Sequence, residues 1–401
     1  MKFKGKCAFV IAPYTLSDPT TRNTIYSISN LYERIIVIQQ NSLAKYHSLN
    51  LDNVIVVNVK DFINLPRFYG TKNILAWLYY KFTVKKLIRK YRPALFITFQ
   101  FSPLAAIKLQ SGQKLVACVY DIPDPDLSGK LDTIINRQGF KQLKNASLVW
   151  TSDEHKSRLT AQFGQLGTLP LICYNCPRLN YIDDKGTGDK LWLRNELRKA
   201  GAAISNDSGT VMIRAGAIGP YGGIEETLEA MKSLPPDNLF LMMGRPGKLY
   251  SDSLKTLIRE YKLEKRAFFW DRPDDQTWKK ALFGADIGHL VHLRPPDLTP
   301  EAGMYQYNSS LSNYRLFYYM AVGLPIFSYN DPRMSNMHGE ANCFIVLRVE
   351  QLVQDIIHNW RMLSENRVLR ESMAENGTNL FLTKYNWETQ FKEIKKFIED
   401  L

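Results

Sequence analysis

The strongest constraint on the fold of this chain is the repeated alternation of short apolar runs with segments of helical periodicity. In the first half, helical patterns, including one from Asn73 to Tyr91, separate the apolar runs KCAFVIAP, RIIVIQ, NVIVVNV, LFITFQF, KLVACVYD and SLVWTS. Strands that are apolar at nearly every position are typical of a parallel sheet covered by helices on both faces. The pattern therefore predicts a doubly wound α/β domain, in which ligands bind beyond the carboxyl ends of the strands.

The alternation begins again in the second half, with VMIRAGAIGPYGGIEETLEAM, NLFLMMGRPGK, RAFFWDRP and ADIGHLVHL. Between the halves, polar and glycine-containing runs flank one helical pattern, LWLRNELRKA. A chain of 401 residues is also too long for one ordinary core. We therefore expect two Rossmann-like domains, with 1–177 as the first, 178–204 as a linker region, 205–385 as the second and 386–401 as a C-terminal helix.

The stretch SSLSNYRLFYYMAVGLPIFS, residues 309–328, predicts a polar loop, a helix and a strand in succession. Its apolar residues recur at helical spacing, Gly323 supplies a left-handed residue at the helix end, and Pro325 opens an apolar strand. The amino end of such a helix carries free N–H groups and a partial positive charge, which suit a diphosphate.

The same stretch resembles the N-x-K-L-F-E-Y-M-A-x-G-L-P signature of GT-B glycosyltransferases of the family-four type, the glycosyl transferases group 1. The matching residues are Asn313, Arg315, Leu316, Phe317, Tyr319, Met320, Ala321, Gly323, Leu324 and Pro325. In that family the segment holds a nucleotide-sugar donor. The resemblance implies the GT-B fold, with two Rossmann-like domains facing across a cleft, the donor in the second, the acceptor in the first, and the C-terminal helix crossing back to the first.

A glycine-rich turn opens the second domain, where Gly216, Gly219, Gly222 and Gly223 precede a helix that begins near Ile224. Glycines there let backbone amides approach a phosphate closely, although the spacing alone also suits a tight turn. The family carries a basic residue at the position of Gly222. The resemblance therefore implies that other arginines neutralise the negative charge of the diphosphate. The candidates are Arg214, Arg245 and Arg315.

The resemblance also concerns the nucleoside. Tyr318 stands where the family usually carries a ribose-binding Glu, and Ser310 replaces the other acidic residue of its paired-Glu motif. A phenol can bond one hydroxyl, but it is not a charged bidentate acceptor. The donor-binding residues implied by the resemblance are completed by Arg272 near the nucleobase and by Ser312 and Asn313.

Asp121 and Asp18 are the candidate catalytic residues of the first domain. Asp121 ends a predicted strand on the side expected to face the acceptor, and it is the first choice for contacting the acceptor hydroxyl, with Asp18 second. The nearby Asp124-Pro-Asp126 matches the DxD metal motif of the other glycosyltransferase fold, but its prolines favour a loop at the acceptor site.

Other candidate metal ligands are weak. Cys173 and Cys176 form a lone CxxC without a second pair, and His289 and His292 alternate along a strand, as packed histidines do. We expect no metal and no cofactor other than the nucleotide-sugar co-substrate.

The excess positive charge lies in the first half, because residues 1–180 hold 24 Lys and Arg against 10 Asp and Glu. The predicted helix from Asn73 to Arg92 combines aromatic residues with the cations Lys81, Lys85, Lys86, Arg89 and Lys90. Such a helix can lie on an anionic membrane, or its aromatic residues can face the sheet while its cations are solvated. No run approaches the roughly 18 apolar residues of a membrane span.

The resemblance, taken with these features, implies a glycosyltransferase of the hexosyltransferase type. The resemblance implies a retaining enzyme of cell-surface polysaccharide biosynthesis with a glycan or lipid-linked acceptor, cytoplasmic and peripheral on the inner face of the membrane, with no nucleic-acid partner. Two alternatives stay open, a GT-B sugar epimerase or phosphorylase and a non-catalytic protein that binds an anionic polymer.

Overall fold

The computed structural model describes residues 3–12, 18–40, 49, 51–59, 71–120, 122, 130–183, 189–204, 209–216, 218–271, 273–293, 314–329 and 334–401. These residues divide into two compact units. The first comprises residues up to Asn175 together with Trp387–Leu401, and the second comprises the described residues from Cys176 to Asn386.

The first unit is built on a parallel sheet whose described strands follow the order β3-β2-β1-β4-β5-β6-β7. The strands are β1 Phe3–Ile11, β2 Tyr32–Gln40, β3 Val54–Val59, β4 Leu95–Phe99, β5 Lys114–Val119, β6 Leu148–Thr151 and β7 Leu171–Ile172. Every residue of β4 is buried, as expected for a strand covered on both faces. The predicted doubly wound sheet of the first half is confirmed.

Helices cover both faces of this sheet, because successive side chains of a strand point to opposite sides. Phe9 of β1 belongs to one core and Val10 to the other. The helices that follow the strands are α1 Pro19–Ile28, α2 Thr71–Tyr91, α3 Phe101–Ala106, α4 Lys130–Leu143 and α5 Glu154–Gly164. Helices α2 to α5 contribute to the Phe9 core, whereas α1 contributes to the Val10 core.

The second unit repeats the architecture with a parallel sheet in the order β10-β9-β8-β11-β12-β13. Its strands are β8 Val211–Ala215, β9 Leu239–Met243, β10 Ala267–Trp270, β11 Ile287–His289, β12 Ile326–Tyr329 and β13 Phe344–Leu347. Its helices are α6 Asp189–Lys199, α7 Ile224–Met231, α8 Lys248–Glu260, α9 Asp275–Gly284, α10 Tyr314–Val322, α11 Ser335–Glu340, α12 Leu352–Glu365 and α13 Arg367–Thr383. The strand order is that of a Rossmann fold.

The chain end returns to the first unit through α14 Trp387–Gln390 and α15 Lys392–Glu399. Four residues of this segment are at most 1% exposed and complete the Val10 core, namely Trp387, Phe391, Ile394 and Ile398. The indole Nε1 of Trp387 also donates to Ser27 Oγ of α1 at 2.8 Å.

The segment expected to link the two domains belongs to the second unit. In α6, Arg194 Nη2 lies 2.9 Å from Asp286 Oδ2, and both side chains are nearly buried. The same carboxylate oxygen accepts from the backbone N–H of Val211 at the start of β8. A Cβ on Gly284 of α9 would lie 2.6 Å from Leu193 Cβ, so α6 and α9 are in close contact. Residues 189–199 are therefore a packed helix rather than a linker.

Helix α10 has the predicted boundaries at its carboxyl end. Gly323 adopts a φ of +73°, and the Leu324 N–H bonds the carbonyl of Tyr319 at 2.9 Å, before β12 begins at Ile326. The helix, the glycine stop and the apolar strand predicted from 309–328 are thus confirmed within the described residues, while residues 309–313 lie outside them.

Candidate functional site

The carboxyl ends of β8 and β9 bring two glycine turns into contact. The Gly216 N–H donates to the Met243 carbonyl at 2.7 Å. A Cβ on Gly244 would lie only 1.9 Å from the Gly216 carbonyl oxygen, and Gly244 has a φ of +152°. Only glycine at 244 allows the two turns to approach so closely.

Helix α7 begins at the end of the glycine-rich turn, as predicted. Gly223 is its N-cap, with a φ of +64° and no side-chain cap, so no cap side chain bonds the first amides of the helix, whose first turn also holds Glu225 and Glu226. A Cβ on Gly223 would come within 2.6 Å of Val291 Cγ1, whereas one on Gly219 would meet no atom within 4 Å. The turn therefore packs closely against Val291, just after β11, at Gly223, whereas the space around Gly219 is open.

Arg214 of β8 lies beneath this turn and is 1% exposed. Its Nη1 donates to the carbonyls of Gly222 and Val291 at 2.7 and 2.9 Å. A Cβ on Gly222 would lie 2.8 Å from Arg214 Nη2. The guanidinium therefore occupies the space that a side chain at 222 would need, which explains the glycine at a position where the resembled family is basic.

His289 of β11 supports Arg214. Its Nδ1 lies 3.0 Å from Arg214 Nη1, and its Nε2 lies 3.0 Å from the Thr227 hydroxyl, which itself donates to the Gly223 carbonyl. Because the guanidinium is only a donor, Nδ1 must accept, and the ring proton sits on Nε2. Burial, and then the charge of Arg214, hold the pKa of His289 well below its usual value, so the ring is neutral.

A second arginine, Arg315 of α10, reaches the same turn. It is 6% exposed, and its Cδ and Nε lie 3.5 Å from the position of a Cβ on Gly216. Its Nη2 bonds His292 Nε2 at 3.1 Å. Burial lowers the pKa of Arg315, and burial followed by the charge of Arg315 lowers the pKa of Arg214 to about 9. The two guanidiniums thus repel each other in a dry region.

Tyr319 anchors α10 to the sheet, and only its place in the signature marked it in the sequence. Its hydroxyl accepts from the Ala215 N–H and donates to the Ile213 carbonyl, both at 3.0 Å. A Cβ on Gly288 would lie 2.6 Å from the Tyr319 ring. These contacts hold the helix that carries Arg315 against the ends of β8 and β11.

The other residues predicted for the donor site either make different contacts or lie outside the described residues. Arg245 follows β9, but its guanidinium forms two 3.0 Å bonds with Asp271, and both side chains are exposed. Tyr318 lies edge-on to Tyr181, with ring centroids 4.6 Å apart, and also contacts Tyr314. Arg272, Ser312 and Asn313 lie outside the described residues. The structure therefore gathers Arg214, Arg315 and the glycine turn, and gives Arg245 and Tyr318 other contacts.

In the first unit, Asp18 is the N-cap of α1. Its Oδ2 accepts from the backbone N–H and the hydroxyl of Thr21, at 2.9 and 2.6 Å. Asp121 and the Asp124-Pro-Asp126 motif lie outside the described residues. Just before Asp121, the carbonyl of Tyr120 accepts from the buried Nζ of Lys156, which also lies 3.9 Å from Asp153 Oδ2. Sequence reasoning missed this buried lysine.

The structure shows no feature of a metal centre in the regions it describes. No group of three or more His, Cys, Asp or Glu residues there could hold an ion, and Cys173 and Cys176 are buried and form no disulfide. The same regions contain no helix long and apolar enough to cross a membrane. All five predicted cations of α2 are exposed.

No protein-family model matches the sequence, and no curated protein matches it. Solved structures do. HepE of Anabaena in complex with UDP is 16% identical, with a TM-score of 0.67 over 99% of this chain and 100% of that one. Sucrose-phosphate synthase of Thermosynechococcus elongatus is 11% identical, with a TM-score of 0.73 over 98% of both chains. WaaG, a glycosyltransferase involved in lipopolysaccharide biosynthesis, is 14% identical, with a TM-score of 0.65 over 98% of this chain and 99% of that one. The predicted GT-B fold is confirmed.

Proposed function

We propose that this GT-B protein is a glycosyltransferase that moves a sugar from a nucleotide-sugar donor to a glycan or a lipid-linked saccharide, with retention of configuration, in cell-surface polysaccharide biosynthesis. One observation carries the donor part of the proposal. Two buried arginines, Arg214 and Arg315, lie against glycines of a turn that leads into a helix without a side-chain cap.

A diphosphate is the ligand that this arrangement suits. The described hydrogen bonds of Arg214 go to two carbonyls and to neutral His289, and the charge of Glu225 affects the pKa of Arg214 less than burial and the charge of Arg315 do. An anion at the turn would relieve the repulsion between the two arginines and would accept from the first amides of α7. The free backbone at Gly219 leaves room for the close approach of phosphate oxygens.

The same groups would assist the transfer itself. When the sugar leaves, negative charge grows on the diphosphate, and fixed donors in a dry site stabilise that charge without reorganising. No metal is needed for this role, because guanidiniums and amides supply the positive potential. In the first unit we propose Asp121 for the contact with the acceptor hydroxyl. Asp18 is the weaker candidate, because its carboxylate already caps α1.

The solved structures support the donor class more than the acceptor. HepE is described in complex with UDP and with UDP-glucose, and WaaG is described as a glycosyltransferase of lipopolysaccharide biosynthesis. We propose a nucleotide-sugar donor for this protein as well, because Arg214 and Arg315 provide positive charge at the glycine turn. We extend a lipid-linked or glycan acceptor, and a place on the cytoplasmic face of the membrane, on the strength of the basic first unit.

Calorimetric titration with UDP, ADP, GDP and the corresponding mononucleotides tests the donor site. We expect one diphosphate to bind at least about tenfold more tightly than its monophosphate, because the second phosphate adds a charge-assisted bond to the arginine pair. Equal affinities would contradict the assignment of the diphosphate to this turn.

Product analysis then tests the reaction class. The protein is incubated with a panel of nucleotide sugars and a membrane lipid extract, and nucleotide release and saccharide products are followed by mass spectrometry. A glycosylated product that appears with the nucleoside diphosphate supports transfer. Interconversion of nucleotide sugars would identify an epimerase, phosphate-dependent release of a sugar phosphate would identify a phosphorylase, and either result would replace the proposal.

A further inference from the structure

Helix α2 has an outer face that keeps large apolar side chains in solvent. Leu78, Tyr79 and Phe82 are 53%, 55% and 66% exposed. The opposite face packs in the Phe9 core through Trp77, Tyr80, Val84 and Ile88. Trp77 and Tyr80 of this helix are therefore core residues, whereas Tyr79 and Phe82 are exposed. Core packing does not explain the exposed pair.

The cations of α2 share the outer face. At 100° per residue, Lys85, Lys86 and Arg89 fall on the same side of the helix as Phe82. They occupy the turns that follow the apolar patch, and all three are exposed. The sequence contains no Asp or Glu between Thr71 and Arg92 that could neutralise them.

Helix α4 also exposes apolar and basic side chains. It covers the same side of the sheet as α2, because both helices pack in the Phe9 core. Its exposed residues include Ile134, which is 54% exposed, and Arg137 and Lys141 at the following helical positions. Apolar and basic side chains therefore recur on two helices that cover one face of the sheet.

We propose that the α2 outer face, formed by Leu78, Tyr79, Phe82, Lys85, Lys86 and Arg89, docks on a bilayer that contains anionic phospholipid. The three apolar side chains enter the interface between headgroups and acyl chains, and the cations meet the lipid phosphates. An aliphatic side chain such as Leu78 has no role in stacking on bases, and therefore the patch fits a lipid surface better than a nucleic acid.

This inference deepens the proposed function by naming the surface on which a lipid-linked acceptor would be met, and in that respect it rests on that function. Its test is separate, since vesicle binding is measured without donor or acceptor. Vesicle binding without sugar transfer would overturn only the proposed reaction. Sugar transfer without vesicle binding would overturn only the docking surface.

The first experiment compares two charge reversals of the full chain. One variant carries Lys85→Glu, Lys86→Glu, Arg89→Glu and Lys90→Glu. The control carries Lys248→Glu, Lys255→Glu, Arg259→Glu and Lys262→Glu, which changes the net charge equally at exposed positions of the second unit. Both are sedimented with vesicles of phosphatidylglycerol in phosphatidylcholine at several salt concentrations.

We expect the parent and the control to bind at low salt and to dissociate as salt screens the attraction over about 8 Å at physiological strength. The α2 variant should bind at least about a hundredfold more weakly, because each cation near an anionic surface contributes to the attraction. Equal loss in both variants, or no binding of the parent, would overturn the docking surface. Binding of an oligonucleotide but not of vesicles, with the same dependence on α2, would assign the face to nucleic acid instead.

The second experiment separates apolar insertion from charge alone. Phe82→Ser removes the most exposed aromatic residue of the patch, and Leu249→Ser, at a residue that is 88% exposed in the second unit, is its control. Phe82→Ser should weaken vesicle binding about tenfold without changing its salt dependence, because burial of an aromatic ring in the interface is not screened. Unchanged binding by Phe82→Ser would show that the helix does not insert and would overturn the proposed mode of docking.

Discussion

Buried positive charge lies at the carboxyl edge of each of the two sheets, but the groups around that charge differ between the units. In the first unit, fully buried Lys156 lies near the carboxylate of Asp153 and donates to the Tyr120 carbonyl. In the second unit, burial and then the charge of Arg315 lower the pKa of Arg214, and the described hydrogen bonds of Arg214 go to neutral groups. Removing one partner of a buried ion pair leaves an uncompensated charge and destabilises the fold, whereas we expect two neighbouring buried cations to favour an anionic ligand.

Removing the paired cation should have the largest effect. Lys156→Met leaves Asp153 buried without its lysine, and we expect a loss of about 3 to 5 kcal/mol in the free energy of unfolding. Urea denaturation measures the loss, with Lys144→Met at an exposed lysine of the same unit as control. A loss no larger than that of the control would show that Asp153 does not depend on this lysine and would remove the contrast between the two edges.

Arg315→Met should reverse the pattern, weakening binding more than folding. We expect nucleoside diphosphate affinity to fall by about 1.5 to 3 kcal/mol, the value of one lost hydrogen bond to a charged group. The free protein should lose much less stability than Lys156→Met does, because the substitution also removes a charge that repels Arg214. Titration of the best-binding nucleotide measures this, with Arg367→Met at an exposed ion pair as control. Unchanged affinity in Arg315→Met would exclude Arg315 from the donor site.

Acid should weaken the second unit through its neutral histidines. The pKa values of His289 and His292 lie well below the usual 6.5 in the folded state, chiefly because both rings are buried beside arginines. The unfolded chain therefore takes up protons first, and stability that is complete above pH 6.5 falls below it by at most about 1.4 kcal/mol per pH unit for each histidine.

His289→Asn, which cannot take up a proton, should flatten this dependence, while the exposed His358→Asn should not. Thermal unfolding between about pH 5 and 7.5 compares the three proteins. The same slope in parent and His289→Asn would contradict the assignment.

The smallest effect is expected at Tyr318. If its hydroxyl meets the ribose, Tyr318→Phe should weaken nucleoside diphosphate binding by roughly 0.5 to 1.5 kcal/mol, the value of one neutral hydrogen bond. Its edge-on contact with the Tyr181 ring survives this substitution, because that contact depends on the ring and not on the hydroxyl. Isothermal titration of the two proteins with the same nucleotide decides, and equal affinities would leave Tyr318 with a packing role alone.

Continuous apolar strands and glycine stops are local signals, and they were sufficient for the two doubly wound sheets, while the resemblance supplied the GT-B fold. The sequence also selected Arg214, Arg315 and the glycine turn. It could not show that Arg214 fills the space at Gly222, since this contact depends on how β8 lies under the turn. Nor could it pair Arg245 with Asp271, which are 26 residues apart and follow the neighbouring strands β9 and β10. Residues 178–204 were assigned to a linker because polar runs flank α6, whereas its attachment depends on Asp286, far along the chain.

The return of the chain end to the first unit has a consequence for biosynthesis. Trp387, Phe391 and Ile394 fill the Val10 core from the last fifteen residues of the chain. During translation, this core stays incomplete until Trp387 to Ile398, which follow the second unit in the chain, have been synthesised. We therefore expect the second unit, contiguous from Cys176 in its described part, to complete its folding before the first unit does.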